Sequence, residues 1–212
     1  MRPYERDPAA IYEKSFATVR AEARLDRFPE PLTPMVLRLI HACGMVDVAD
    51  RVAFSARAME AGQMALQTGA PILCDCEMVR AGIIQRVLPC NNEVIVTLNR
   101  PEVPERAREM ATTRSAAGVD LWRDHLEGAV VAIGNAPTAL FRLLELLDEG
   151  APRPAVILGF PVGFVGAAES KAELSGNPRE CEFVTLRGRR GGSAMASAAV
   201  NALAAGLGGG VK

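Results

Sequence analysis

The sequence predicts an α/β protein, three-layered as α/β/α around a mostly parallel central sheet, and three observations carry that expectation. Three times in the second half of the chain, a short apolar run leads into a glycine-bearing turn and then into a small-residue helix. Earlier stands a β-branched run, Val94-Ile95-Val96-Thr97-Leu98. Around these lie segments whose apolar residues recur at helical rather than alternating spacing. Strands that alternate with helices run mostly parallel and need helices on both faces of the sheet.

Taken in order, Asp7 to Leu25 predicts a helix with Ile11, Tyr12, Ser15, Phe16, Val19 and Ala23 near one face. In the second helix Thr33 is the candidate N-cap, Pro34 suits the first position and Gly44 suits the exit, which puts His41 in the last turn. Ser55 is the candidate cap of a third helix that runs to Thr68 and ends at Gly69-Ala70-Pro71. Ile72-Leu73-Cys74 and the run from Val94 to Leu98 read as strands. Pro104 to Leu126 reads as one long helix, with Arg114 near its middle among small residues. The repeated units then follow. Strand Ala129 to Ile133 leads through Gly134-Asn135-Ala136-Pro137 into a helix to Leu147. Strand Ala155 to Leu158 leads through Gly159-Phe160-Pro161-Val162-Gly163 into a helix around Ala167 to Leu174. Strand Phe183 to Leu186 leads through Arg187 to Gly192 into a helix from Ser193 to Ala205. No linker interrupts the pattern, so a single domain over residues 1–212 is expected, with the glycine-rich stretch 206–212 as a disordered tail.

Composition narrows the function. Hydrophobic residues at 49% suffice for a core, yet no stretch approaches the length of a membrane helix, and no signal-type apolar run follows the charged N-terminus. A cytoplasmic protein with no membrane partner is expected. The formal net charge of −1 speaks against the broad positive field of a nonspecific nucleic-acid binder. Of the 24 basic residues only Lys14, Lys171 and Lys212 are lysine; the rest are arginine, which suits carboxylate ligands but also fits codon bias in a GC-rich, alanine-rich sequence. The five cysteines, Cys43, Cys74, Cys76, Cys90 and Cys181, have no zinc-site spacing, and only His41 and His125 are available to supplement them. They read as reduced, partly buried thiols, and no metal is expected.

In open parallel sheets, ligands bind beyond the carboxyl ends of the strands. The three glycine turns end there, and the helices that follow them offer N–H groups to anions. A nucleotide is the obvious ligand to test. No G-x-G-x-x-G follows a strand, Gly159, Gly163 and Gly166 are wrongly spaced for one, and no G-x-x-x-x-G-K-[ST] occurs. A less regular glycine loop for S-adenosylmethionine stays open on these local grounds. His41 lies on a nearly all-apolar helix with Arg38 one turn back on the same side. It is either a solvated or structurally paired histidine, or a proton donor whose charged form is favoured by the helix C-terminus and an anionic ligand. Arg114 is either an exposed helix arginine or a ligand contact, Ser15 is ambiguous on its apolar face, and His125 reads as a surface residue.

Several stretches together resemble the precorrin-8X methylmutase family of cobalamin biosynthesis. They include Ala10 to Phe16, Ile40-His41-Ala42-Cys43-Gly44, Gly69 to Asp75, Asn92 to Leu98 and Thr113-Arg114-Ser115-Ala116-Ala117. Gly134 to Leu140, Pro161 to Lys171, Arg187-Gly188-Arg189 and Gly191 to Met195 continue the match in order over nearly the whole chain. The resemblance implies an isomerase that shifts the ring-C methyl of precorrin-8X to the adjacent ring carbon and gives hydrogenobyrinic acid, with no cofactor, in a homodimer whose site lies near the subunit interface. It places the family's proton-handling histidine on His41, its early-helix serine on Ser15 and its substrate-side arginine on Arg114. Thr97, Gly134, Asn135, Gly163 and Ser193 are the further expected substrate contacts. A cobalt-precorrin-8 methylmutase and a noncatalytic corrinoid carrier are the rival readings; His41-Ala42-Cys43-Gly44-Met45 looks more like the metal-free form.

Overall fold

In the computed structural model, which describes Arg2 and residues 4–207, six strands form one sheet. They are β1 (Val52–Phe54), β2 (Ile72–Cys74), β3 (Val94–Val96), β4 (Val130–Ile133), β5 (Val156–Gly159) and β6 (Glu182–Leu186), in the order β1-β6-β5-β4-β2-β3. All pairings are parallel except that of β1 with β6, where Val52 faces Leu186 and Phe54 faces Val184. The three-layer class expected from the sequence is therefore the one observed. Alternation along the strands serves two cores at once: Val130 and Ala132 of β4 point to one face, Val131 and Ile133 to the other. The first face is covered by α2 (Thr33–Cys43), α3 (Ala58–Gln67), α4 (Glu77–Gly82) and α9 (Ser193–Ala204). The second is covered by α6 (Arg114–Asp120), α7 (Pro137–Asp148) and α8 (Ala167–Gly176), with α5 (Val103–Glu109) packed on α6. The first helix, α1 (Pro8–Glu22), lies outside α2 and buries only Val19.

Several local expectations need correction. Thr33 is inside α2 rather than its cap, with Pro34 in the first turn, while Gly44 closes the helix in the left-handed conformation at φ 68° as expected. Ser55 caps nothing; its hydroxyl donates to the Glu182 carboxylate and accepts from the Phe183 N–H, and α3 begins at Ala58. The single helix expected over Pro104 to Leu126 is two. Ala111 turns the chain at φ 49°, and Thr113 caps α6 by accepting the Ala116 N–H at 3.2 Å. Asp120 ties the pieces together, accepting from Arg106 of α5 at 2.8 Å and from Arg142 of α7 at 2.7 Å. Arg114 is thus the first residue of a helix rather than a mid-helix residue. Of the tail expected to be disordered, Gly206 and Leu207 form a turn packed after α9, and 208–212 lie outside the described residues.

Strand order fixes where a ligand can enter. β4, β5 and β6 step away from β2 in one direction and β3 lies in the other, so the order reverses between β2 and β4. At such a point the connections diverge to opposite faces and leave a crevice at the carboxyl ends of the strands. The loops after β2 and β4, Asp75-Cys76 and Gly134-Asn135-Ala136, flank it.

Candidate active site

His41 is held by α1. Its Nδ1 lies 2.8 Å from the Ser15 hydroxyl, the Phe16 ring stacks on the imidazole with centroids 5.4 Å apart, and Tyr12 tilts over it at 5.2 Å. Arg38 Nη1 donates to the Tyr12 hydroxyl at 3.1 Å, which fixes the aromatic in place. The helical spacing of Tyr12, Ser15 and Phe16 puts all three on the side of α1 that faces α2. The imidazole itself stays exposed.

This pairing leaves Nε2 for chemistry. A charged ring donates Nδ1–H to Ser15 and also carries a proton on Nε2. Once that proton is delivered, the neutral ring keeps its Nδ1–H bond to the serine, so no side chain has to move. Ser15 and His41 are separated by 26 residues, and the fold brings these two candidates together.

The His41 end of α2 opens on the carboxyl edge of the sheet. Asp47, just beyond the helix, pairs with Arg190 of the β6–α9 turn at 2.6 Å. That turn is stitched to the one after β5: Gly163 N–H donates to the Arg189 carbonyl at 3.1 Å and Gly192 N–H to the Phe160 carbonyl at 2.8 Å. The fit admits no side chain at Gly191, where a Cβ would stand 2.2 Å from the Phe160 oxygen. Phe164 and Val165 project from the same rim at 84% and 88% exposure, with the Arg189 guanidinium 5.5 Å from the Phe164 ring centre.

At the far end of this edge stands Arg114, which donates to the Asn99 side chain at 3.2 Å just past β3. Its cap Thr113 meets Thr138 of the first turn of α7 at 2.7 Å, which places Arg114 beside the Gly134-Asn135 turn. Among the described residues Arg114, Arg187 and Arg189 have no carboxylate within ion-pair distance, whereas Arg190 of the same turn as the last two pairs with Asp47. Arg187 and Arg189 were absent from the expected contacts; their position between β6 and α9 is the signal that marks them. Arg114 does not touch His41. Arg114 stands just past β3, four strand spacings, about 19 Å, from β6, whose following turn is tied through Arg190 and Asp47 to the His41 end of α2.

The remaining candidates divide. Ser193 opens α9 with its hydroxyl 3.5 Å from the Cys76 thiol, and the Asn135 side chain is half-exposed beside it. Gly134 is required where it stands, since a Cβ there would lie 2.7 Å from Ser193 Cα. Thr97 is a correction: it is buried, donating to the Gly118 carbonyl at 2.7 Å and accepting from the Trp122 indole at 3.0 Å, so its hydroxyl serves the core and not a ligand. The turn amides are a second correction. Gly134 N–H donates to Asp75 Oδ1 at 3.0 Å, and those of Asn135 and Ala136 donate to Oδ2 at 2.8 and 2.9 Å, so none is free for an anion. Burial pushes the Asp75 carboxyl up, opposed by these three donors, which favour the ion. Among the described residues no three His, Cys, Asp or Glu side chains gather in metal-ligand geometry.

Lys171 of α8 supports the rim from below. It is 0% exposed, its ammonium donates to the Arg190 carbonyl, and burial pushes it down to about 8 from an ordinary 10.5. Because the unfolded chain holds this proton to higher pH than the folded one, raising the pH through that window favours folding. Relative to Lys171→Met, the wild type should gain roughly 2 kcal/mol of stability between pH 7 and pH 10 in urea denaturation. Parallel pH dependence of the two proteins would show that burial does not lower the Lys171 ammonium below its value in the unfolded chain.

The model of the precorrin-8X methylmutase family matches residues 10–205 of the chain. A precorrin-8X methylmutase from Pseudomonas aeruginosa is 60% identical over 204 residues, covering 96% of this chain and 98% of that one. A cobalt-precorrin-8 methylmutase from Salmonella typhimurium is 38% identical, covering 94% and 96%. The crystal structure of a precorrin-8X methylmutase from Thermus thermophilus superposes with a TM-score of 0.82 at 41% identity, covering 92% of this chain and 94% of that one.

Proposed function

The chain belongs to the precorrin-8X methylmutase family and is an isomerase that moves a methyl group within precorrin-8X, and we propose that it acts on the metal-free ring, gives hydrogenobyrinic acid, and uses His41 as the proton donor. The observation that carries the role of His41 is the Ser15–His41 pair, framed by Phe16 and Tyr12 at the mouth of the carboxyl edge.

The shift is intramolecular: the ring-C methyl leaves one ring carbon as it bonds to the next, so nothing enters or leaves the molecule. A proton lent to the conjugated ring by Nε2 makes the framework electron-poor and returns to His41 once the new carbon–carbon bond has formed. General acid help of this kind is worth about 10²- to 10⁴-fold. The rest of the work is positioning. The substrate is an apolar disc rimmed by carboxylates, and this edge offers apolar Phe164 and Val165 in the region of Arg187 and Arg189, with Arg114 unpaired at its far end. The choice of a metal-free ring follows the higher identity to the Pseudomonas aeruginosa relative. Purified protein should convert metal-free precorrin-8X in a single turnover without added metal or S-adenosylmethionine, read by the absorbance change of the altered conjugation. Conversion of the cobalt-bearing ring alone would assign the other substrate, and a requirement for S-adenosylmethionine would overturn the reaction class.

The same reading makes the protein a cytoplasmic homodimer that does not bind nucleic acid. Free cysteines, three of them buried, suit a reducing compartment. Ile11 and Tyr12 leave apolar surface uncovered on α1. The groove between α1 and α2, lined by Phe16, Arg20, Pro34, Leu37 and Arg38, encloses about 210 Å³, less than the several hundred a drug-sized ligand occupies. A second subunit over this side would supply the missing wall. Light scattering at micromolar concentration should give twice the chain mass; a monomer that turns over at full rate would contradict it.

A further inference from the structure

The crevice between β2 and β4 is where an α/β sheet of this order ordinarily takes an anion, on the backbone amides that lead into the next helix. Here the protein supplies the anion itself. Asp75 reaches from the end of β2 and accepts from three successive N–H groups, Gly134, Asn135 and Ala136, at 2.8–3.0 Å. Its side chain is buried, both oxygens are used, and Pro137, which has no N–H to offer, begins α7 directly after the cradle. The amide cradle is thus closed to substrate carboxylates, and its geometry is set by a residue that does not reach the surface.

We propose that Asp75 is a positioning residue for the methyl shift: an internal anion that occupies the amide cradle after β4 and thereby aims the Gly134-Asn135 turn, and the Asn135 side chain with it, at the bound ring. The inference rests on the reading that the ring lies along this edge. Gly134 is in close contact with the start of α9, so the turn has Ser193 behind it and Asp75 beneath it. With the carboxylate removed, three converging N–H dipoles lose their common acceptor and turn outward to water. Misplacement of a substrate-positioning group by about 1 Å can cost 10²-fold in rate.

The test is chemical rescue. Asp75→Ala leaves a cavity the size of a small carboxylate, and its single-turnover rate on precorrin-8X should fall about 10- to 100-fold. Formate should restore that rate saturably, chloride at equal ionic strength should not, and the wild type should respond to neither. Asp75→Asn provides a second variant: it keeps the volume but points an NH₂ at N–H donors, so it should fold, lose rate similarly, and resist formate because the cradle is full. A wild-type rate in either variant overturns the proposal, as does a folded Asp75→Ala whose loss formate does not relieve. If neither variant folds and formate recovers no folded protein, Asp75 is a purely structural carboxylate and the proposal falls. An Asn135→Ala control separates the two levels. If it and His41→Ala lose rate while the Asp75 variants do not, the ring reading stands without this inference; if both controls keep their rate, the ring reading itself fails.

Discussion

Replacing His41 with Ala is expected to lower the single-turnover rate on precorrin-8X by about 10²-fold or more, roughly 3 kcal/mol of transition-state stabilisation, while product affinity stays within a few-fold of the wild type. The residue is exposed at the end of α2, and its contacts are one hydrogen bond to Ser15 and two aromatic faces from α1. None of these is buried in the core of α2, which is built by Met35, Val36, Leu37, Leu39 and Ile40. The fold should therefore survive the substitution, and the loss should fall on the proton step. Near wild-type conversion with normal binding would remove His41 from the chemistry and leave the shift to positioning alone. Lost binding together with a disrupted fold would make it a structural histidine.

Replacing Arg114 with Ala is expected to weaken hydrogenobyrinic acid binding by about 1.5–3 kcal/mol, the range for a charged hydrogen bond. Arg114 is exposed, bonded only to the neutral Asn99 side chain and, at 3.4 Å, to the Leu98 carbonyl, so its positive charge is unspent in the free protein. Its removal costs little stability for the same reason. Unchanged affinity by titration would assign the carboxylate contacts to Arg187 and Arg189 instead.

The longer elements were legible because their patterns repeat over enough residues. α7 and α9 follow a strand and a turn in each case, and β4, β5 and β6 are short apolar runs ended by glycine or arginine turns. What was missed is short or depends on distant residues. Strand β1 has three residues, and its identity comes from pairing with β6, more than a hundred residues later. Helix α4 is six residues long, too short to show a period. The break before α6 was written in Thr112-Thr113, a capping pair that helical periodicity on both sides obscured. At the site, the resemblance proposes His41, Ser15 and Arg114, and the 2.8 Å contact between the first two, which belongs to the packing of α1 on α2, was not legible in the sequence. Thr97 was misassigned because the end of a strand can face the crevice or the core, and only the position of Trp122 decides which. Asp75 stood out only as the end of the family-like stretch Gly69 to Asp75; that its carboxylate would fill an amide cradle 59 to 61 residues away could not be read before the strand order was known.

Histidine side-chain nitrogen NMR tests the role of His41 most directly, because the chain contains only two histidines. With ¹⁵N-labelled histidine, and the His41→Ala variant to assign the signals, saturation with hydrogenobyrinic acid should move the Nε2 resonance of His41. That of His125, half-buried in a short helical turn after α6, should stay in place. A His41 signal that does not move while titration shows the product bound would mean that the ring does not meet the imidazole, and that His41 does not deliver the proton.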